Sequence, residues 1–410
     1  MRQSLLLAAG LFALSTTAAF AQAARDDSFE QIDKGRYLAI LGDCAACHTV
    51  PGGKPFAGGV TLKTPFGDLV GANITPDPET GIGRMTLDEF QKVMSEGEGP
   101  GGFHLYGAMP FTAYTKVSKE DNAAIYAYLN SVEPVKNKVE TNLLPFPFNI
   151  RLSLIGWNML NFTKGEFKAN PQKSEEWNRG AYIVEGLGHC GTCHTPKNIM
   201  GGDKNDQFLE GATLQDWFAP NITSDPHKGI GAWSVEDITA YLKTGANKYD
   251  MASGPMAEEV ENSSQHWSDQ DLKAVAVYLK DNRNAGAKAP APIAATDARM
   301  VAGAAIYADR CSACHVSKGE GIPTLFPRLA SAPLVNSDDP TSLIRVVLAG
   351  SKAGATHAAP TSPNMPSFAW NLNDKDVANV LTYVRNTWGN AAPAVDPTEV
   401  GNLRARLRDE

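Results

Sequence analysis

Apolar residues recur at helical spacing in six short windows, and the windows fall into three pairs. The first member of each pair opens on a glycine: Gly35-Arg-Tyr37-Leu38-Ala-Ile40-Leu41, Gly180-Ala-Tyr182-Ile183-Val184-Glu-Gly-Leu187 and Gly303-Ala-Ala-Ile306-Tyr307-Ala308. The second follows a polar cap: Ser118-Lys-Glu-Asp121 leads into Ile125-Tyr126-Ala-Tyr128-Leu129, Ser268-Asp-Gln-Asp271 into Val275-Ala-Val277-Tyr278-Leu279, and Asn373-Asp-Lys-Asp376 into Val380-Leu381-Thr-Tyr383-Val384. A polar residue ahead of an apolar i, i+3, i+4 stripe marks a helix start. Each third of the chain is therefore expected to pack an N-terminal helix against a C-terminal one. Thr86-x-x-Glu89 and Ser234-x-x-Asp237 have the capping pattern of further helix starts.

The thirds are related. Asn73-Ile-Thr-Pro-Asp77 with Gly81-Ile-Gly83 recurs as Asn221-Ile-Thr-Ser-Asp225 with Gly229-Ile-Gly231, at one constant offset of 148 residues. This is an internal duplication, with glycine and Asn/Asp clusters at its turns. Ahead of it, Met1-Arg2, an apolar run from Leu5 to Phe20 and the small-x-small site Ala21-Gln22-Ala23 read as a secretory signal peptide over residues 1–23. No later window holds the ~20 apolar residues of a spanning helix. A periplasmic location, at the inner membrane's periplasmic face, is expected.

Two junctions separate the thirds. Residues 141–175 form a connector whose part from Leu143 to Phe162 contains Pro145-Phe146-Pro147-Phe148, Ile150, Leu152, Leu154, Ile155, Trp157, Met159 and Leu160. It reads either as a packed connector or as a partly exposed patch around Phe146, Phe148 and Trp157 for a partner or a membrane surface. Residues 286–296, with Pro290 and Pro292, read as an extended linker, and residues 391–410 as a C-terminal tail.

Composition narrows the function classes only modestly. Hydrophobic content of 43% with 20% charged residues is ordinary for a globular chain of 410 residues. The formal charge of −8 lacks the basic stripe that nucleic acid requires.

The six cysteines change the picture. They lie in Cys44-Ala-Ala-Cys47-His48, Cys190-Gly-Thr-Cys193-His194 and Cys311-Ser-Ala-Cys314-His315. Two thiols three residues apart can form thioethers with the two vinyl groups of one haem, and the next residue presents an imidazole to the iron. A disulfide, a thioredoxin-like pair or half of a zinc site would not require that histidine three times over. Three covalent haems c are expected. Each motif sits at the end of a predicted N-terminal helix.

A sixth iron ligand is sought between each motif and the last helix of its third. Ala108-Met109-Pro110, Pro255-Met256-Ala257 and Asn364-Met365-Pro366 follow their motif histidines by 61, 62 and 50 residues. Recurrence at one place in the repeat favours Met109, Met256 and Met365 as thioether ligands over gap-filling side chains. His104, His266 and His357 lie nearby and make bis-histidine ligation the rival. His189 reads as positional and His227 as a solvated surface residue. Pro327, twelve residues after His315, is a candidate carbonyl partner for that imidazole's other nitrogen.

The triple motif, the repeated Asn-Ile-Thr turns, Gly186-Leu-Gly-His-Cys190, Ala108-Met-Pro110 and Trp388-Gly-Asn390 resemble the cytochrome c subunit of membrane-bound bacterial dehydrogenases over nearly all of the mature chain. That family serves flavin-dependent gluconate, sorbitol and fructose dehydrogenases and quinoprotein alcohol dehydrogenases. Similar chains accompany molybdenum hydroxylases of aldehydes or N-heterocycles. The resemblance implies an electron-transfer subunit between a catalytic partner of flavin, quinoprotein or molybdenum type and quinone or a terminal oxidase. The chain ends in Leu403-Arg-Ala-Arg-Leu407-Arg-Asp-Glu410, where some relatives carry a hydrophobic anchor, so membrane association is expected to be peripheral or through a partner. The expected fold is all-α: three tandem class I cytochrome c domains over 24–140, 176–285 and 297–390. A free-standing carrier and a self-contained haem enzyme such as a peroxidase are the alternatives.

Overall fold

The structure is a computed structural model, described over residues 28–281 and 288–408. The expected leader and the first residues of the 286–296 linker lie outside the described residues. Three crossed helix pairs dominate. The helix over 28–41 meets Lys119–Ser131, Glu175–Tyr182 meets Asp269–Asp281, and Ala298–Arg310 meets Asp374–Val384. Each crossing is made at the glycine that opens the repeat. A Cβ on Gly35 would lie 1.9 Å from the Ala124 carbonyl oxygen, on Gly180 2.0 Å from that of Ala274, and on Gly303 2.2 Å from that of Asn379. Any larger residue would push the helices apart.

The caps form as the polar spacing requires. Ser118 and Ser268 Oγ accept from the amides of Asp121 and Asp271, each at 3.1 Å. Asn373 with Asp376, Thr86 with Glu89 and Ser234 with Asp237 close full capping boxes. Each cap satisfies amides that the first helical turn leaves without partners.

The all-α expectation is corrected. The described residues include three small antiparallel sheets: Thr61–Thr64, Gly67–Val70 and Asn142–Leu143; Ala212–Leu214 with Trp217–Ala219; and Ser351–Lys352 with Asn364–Met365. The second is a two-residue hairpin in which Gln215 and Asp216 both have positive φ, 50° and 57°, the sense that matches strand twist. Strands of two to four residues are too short to show an alternating pattern, which is why periodicity misses them.

The picture of three separate tandem units also gives way. Residues of the first and second thirds pack into one continuous core, with Leu38, Leu41, Tyr114 and Ile125 against Ile183, Leu187, Trp267 and Val275. Tyr37 Oη donates to Asp271 Oδ2 at 2.7 Å across this junction, and the Arg179 guanidinium grips the same carboxylate through two 2.7 Å bonds. The last third has its own core clusters. Helix Pro397–Leu407, in the stretch expected to be a tail, buries Val400 and Leu403 in one of them. Ser342 Oγ joins this part to the second third by bonding both backbone groups of Phe218.

Candidate haem sites

Each motif is a single short helix: Cys44–His48, Gly191–His194 and Ser312–His315. In the first two, the chain turns out of the preceding helix through a residue of positive φ, Asp43 at 45° and His189 at 37°. The two occupy the same place in the repeat. His189 also steadies the junction, because its Nε2 lies 3.3 Å from the Gly42 carbonyl oxygen and its ring meets Tyr114 edge-on.

All three motif histidines are anchored alike. Nδ1 lies 2.6 Å from the Ala72 carbonyl oxygen in His48, 2.6 Å from that of Pro220 in His194, and 3.0 Å from that of Pro327 in His315. A proton on Nδ1 donated to the carbonyl leaves the Nε2 lone pair free for a metal and fixes the ring plane. Burial lowers the pKa of all three imidazoles, against the opposing effect of the carbonyl bond, and so favours the neutral form that iron needs. Pro327 was legible from its spacing. Ala72 and Pro220 were not, although each immediately precedes a repeated Asn-Ile-Thr turn. There Asn73 and Asn221 Oδ1 accept the amides of Thr75 and Thr223 at 3.0 and 2.8 Å, holding the turn that follows each carbonyl. The approach is close: a Cβ on Gly71 would lie 1.7 Å from the Cys47 carbonyl oxygen.

None of the six cysteines is in a disulfide. Burial pushes the Cys44 and Cys190 thiols up to about 12 and those of Cys47 and Cys311 up to about 11. A redox pair or a zinc site needs the opposite shift, because its working form is the thiolate. A thioether is neutral. Unbridged sulfurs beside a carbonyl-anchored imidazole fit covalent haem at each motif.

The three methionines occupy less uniform surroundings. Met109 lies in a turn closed by its amide on the Tyr106 carbonyl at 3.1 Å, partly buried against the core that Cys44 and Cys190 also border. Met256 is in helix Pro255–Asn262, beside Ala252, Ala257 and Val260, and that helix packs on the Cys44–His48 helix. Met365 sits on a strand paired with Ser351 and lines an open cleft of about 570 Å³. Of the rival histidines, the rings of His266 and His357 face each other edge-on at 5.5 Å, and His104 Nδ1 lies 3.4 Å from Asn158 Nδ2. His227 is not a solvated surface residue. Its Nε2 bonds the Ala391 carbonyl at 2.9 Å and ties the second third to the last.

Known proteins share this construction. A sequence profile of the cytochrome c family matches residues 300–388, the stretch that holds the third motif and Met365. Over the whole chain, the gluconate 2-dehydrogenase cytochrome c subunit of Pantoea cypripedii is 40% identical, covering 95% of this chain and 93% of its own length. The cytochrome c subunit of the quinone alcohol dehydrogenase of Gluconobacter oxydans is 38% identical over 98% and 88%. The chain belongs to the family of dehydrogenase cytochrome c subunits. The fructose dehydrogenase cytochrome subunit of Gluconobacter japonicus is also similar, at 36% identity over 91% of this chain and 82% of its own length. As a dehydrogenase cytochrome c subunit it is an electron-transfer protein with covalently bound haem c.

Proposed function

We propose that this subunit carries three haems c, one on each motif, and passes electrons from a partner dehydrogenase that oxidises an alcohol, an aldehyde or a sugar acid to quinone or a terminal oxidase. The observation that carries the count is the common geometry of His48, His194 and His315, each with Nδ1 on a backbone carbonyl. The cysteine pairs Cys44 and Cys47, Cys190 and Cys193, and Cys311 and Cys314 would hold the porphyrins. Met109, Met256 and Met365 would complete the coordination. When bound, haem supplies a one-electron iron centre whose potential a methionine ligand raises. The chain contributes anchoring and a fixed imidazole. The partner is of the flavin, quinoprotein or molybdenum type, and the names of the relatives support a dehydrogenase. The expected signal peptide supports a place at the periplasmic face of the inner membrane.

The test has two parts. Haem staining on denaturing gels with intact mass should give three covalent haems per wild-type chain, and Cys193→Ala should weaken attachment at the second motif alone. Fewer than three haems overturns the count. The purified chain should oxidise neither alcohols, aldehydes nor sugar acids, yet be reduced rapidly once the cognate dehydrogenase and its substrate are added. Turnover by the isolated chain would make it a haem enzyme instead.

A further inference from the structure

All eight histidines lie among the described residues, and six have a ring nitrogen within 3.4 Å of another protein polar group. His266 and His357 are the exceptions. Both are exposed, and the ring contact each makes is with the other, centroids 5.5 Å apart and planes at 78°. Among the described residues no carbonyl or carboxylate is bonded to either ring. Their lone pairs are unused.

The backbones beneath the two rings are anchored. His266 ends the turn Ser264–His266, flanked by buried Gln265 and Trp267. Ser263 Oγ donates to the Ile40 carbonyl at 2.7 Å and Ser264 Oγ to the Leu242 carbonyl at 2.8 Å, which fixes the turn. The His357 amide donates to Gln265 Oε1 at 3.0 Å, so the residue before one histidine holds the other. Thr356 Oγ1 donates to the Thr244 carbonyl at 3.1 Å, and the Glu261 carboxylate accepts the Ala355 amide. This loop joins the strands Ser351–Lys352 and Asn364–Met365, while the turn follows the helix Pro255–Asn262. The histidine pair therefore bridges the segments that carry Met256 and Met365.

We propose that His266 and His357 bind one divalent transition ion of the zinc and copper class, between the second third of the chain and the last. Neutral imidazole is the commonest protein ligand for such ions. Metal–nitrogen bonds of about 2.1 Å put each ring centre about 3.2 Å from the ion, so two imidazoles at a tetrahedral angle have centres about 5.2 Å apart. The observed 5.5 Å is close to that separation. Small turns about the terminal torsion of either exposed ring bring both nitrogens to a common point at little cost. Water fills the other positions, since among the described residues no cluster of three or more such ligands exists. The Glu261 charge beside the Ala355 amide favours a cation here. The Lys243 ammonium, which donates to the Trp267 carbonyl at 3.0 Å, is balanced by Asp269 at 3.5 Å. An ion at this place clamps the loop over 353–359 onto the second third. The site rests on the reading that Met256 and Met365, and not these histidines, complete the second and third irons.

The test uses the haem-loaded chain, freed of adventitious metal with a chelator, and Zn²⁺, which is redox-inert. Calorimetric titration should give one ion per wild-type chain at this site, and Cu²⁺ should displace it, following the Irving–Williams order. His266→Gln and His357→Gln should each weaken binding by roughly 100-fold or more, with haem spectra unchanged. Zn²⁺ should also slow amide hydrogen exchange over 353–359 in the wild type and in neither variant. No binding, or binding of wild-type strength in either variant, overturns the proposal. A haem potential that moves in one of these variants makes that histidine an iron ligand: the transition-ion site then falls with the methionine assignment, while the haem count by mass stands.

Discussion

Tyr182 donates its phenolic proton to Asp121 Oδ2 at 2.6 Å, and so repeats, from the second third to the first, the bond that Tyr37 makes to Asp271 from the first to the second. In each case the same hydroxyl also accepts the cap residue's amide at 3.1 Å, from Ser118 to Tyr182 and from Ser268 to Tyr37. The two joints are related as the duplication is. A surface that meets its own copy closes by contacting itself reciprocally, and here both copies lie on one chain. Burial raises the pKa of both phenols, so they stay protonated donors. Tyr182→Phe should cost about 2 kcal/mol, as expected for a hydrogen bond to a carboxylate. Combined with Tyr37→Phe the loss should depart from the simple sum, because Arg179 grips the Asp271 carboxylate and also lies over the Tyr182 ring at 5.6 Å, coupling the two joints. Denaturant unfolding followed by haem absorbance measures both, and a double variant as stable as wild type would show that the joints do not hold the pair together.

The glycine crossings give a sharper contrast. Gly180→Ala would place a methyl 2.0 Å from the Ala274 carbonyl oxygen, and should destabilise by about 3 kcal/mol through forced helix separation. Gly156, inside Ser153–Asn161, has nothing within 4 Å of a built Cβ. Gly156→Ala should stabilise by about 0.5–1 kcal/mol through helix propensity. Thermal melts of the two variants should move in opposite directions.

How much of this was readable beforehand depends on distance along the chain. The motif cysteines and histidines and the helix caps are local patterns, and each stands where its spacing implied, whereas the part that Gly35, Gly180 and Gly303 play at the helix crossings shows only in the packing. Pro327 was found because only twelve residues separate it from His315. Ala72 and Pro220 perform the same service but act through a backbone oxygen, which leaves no mark in residue type. Their one signal was position, directly ahead of a duplicated Asn-Ile-Thr turn. The shared core escaped because its joints are long-range: Tyr37 and Asp271 are 234 positions apart, and either alone is an ordinary helix residue. Trp157 could be read either as part of a packed connector or as part of an exposed patch, and it packs over Gly107; an aromatic residue in an apolar run has no inside or outside until the helix phase is fixed by Asn158 and Asn161.

Asp43 supplies a pH prediction. It sits at positive φ directly before Cys44, and its Oδ1 is buried without a partner. Burial, with repulsion from Glu259 and Glu258, pushes its carboxyl up to about 8 from an ordinary value near 3.8. Between those values the folded chain holds a proton that the unfolded chain has released, so stability falls as pH rises from about 4 to about 8. Burial pushes Glu259 the same way, to about 7. Asp43→Asn keeps a residue that tolerates the left-handed conformation and removes the charge. Its melting temperature should match wild type near pH 4 and exceed it increasingly up to pH 8. A gap that does not widen with pH would mean that Asp43 is not held protonated by the fold.

The methionines remain the ligands to be tested one at a time. If Met109, Met256 and Met365 complete the three irons, the oxidised protein should absorb weakly near the red end of the visible spectrum through sulfur-to-iron charge transfer. Each Met→His variant should lose its share of that band and lower one potential, because imidazole donates more strongly to ferric iron than a thioether does. Surroundings set the side effects. Met109 borders the shared core, so Met109→His should also lower stability, whereas Met365, beside an open cleft, should tolerate the exchange. Met256 lies on the helix against the first motif, so its replacement should perturb the potential of the first haem as well as the second. Spectroelectrochemical titration of the three variants resolves these shifts. An unchanged set of potentials in any one variant removes that methionine as a ligand and returns the neighbouring histidine, His104, His266 or His357, to consideration.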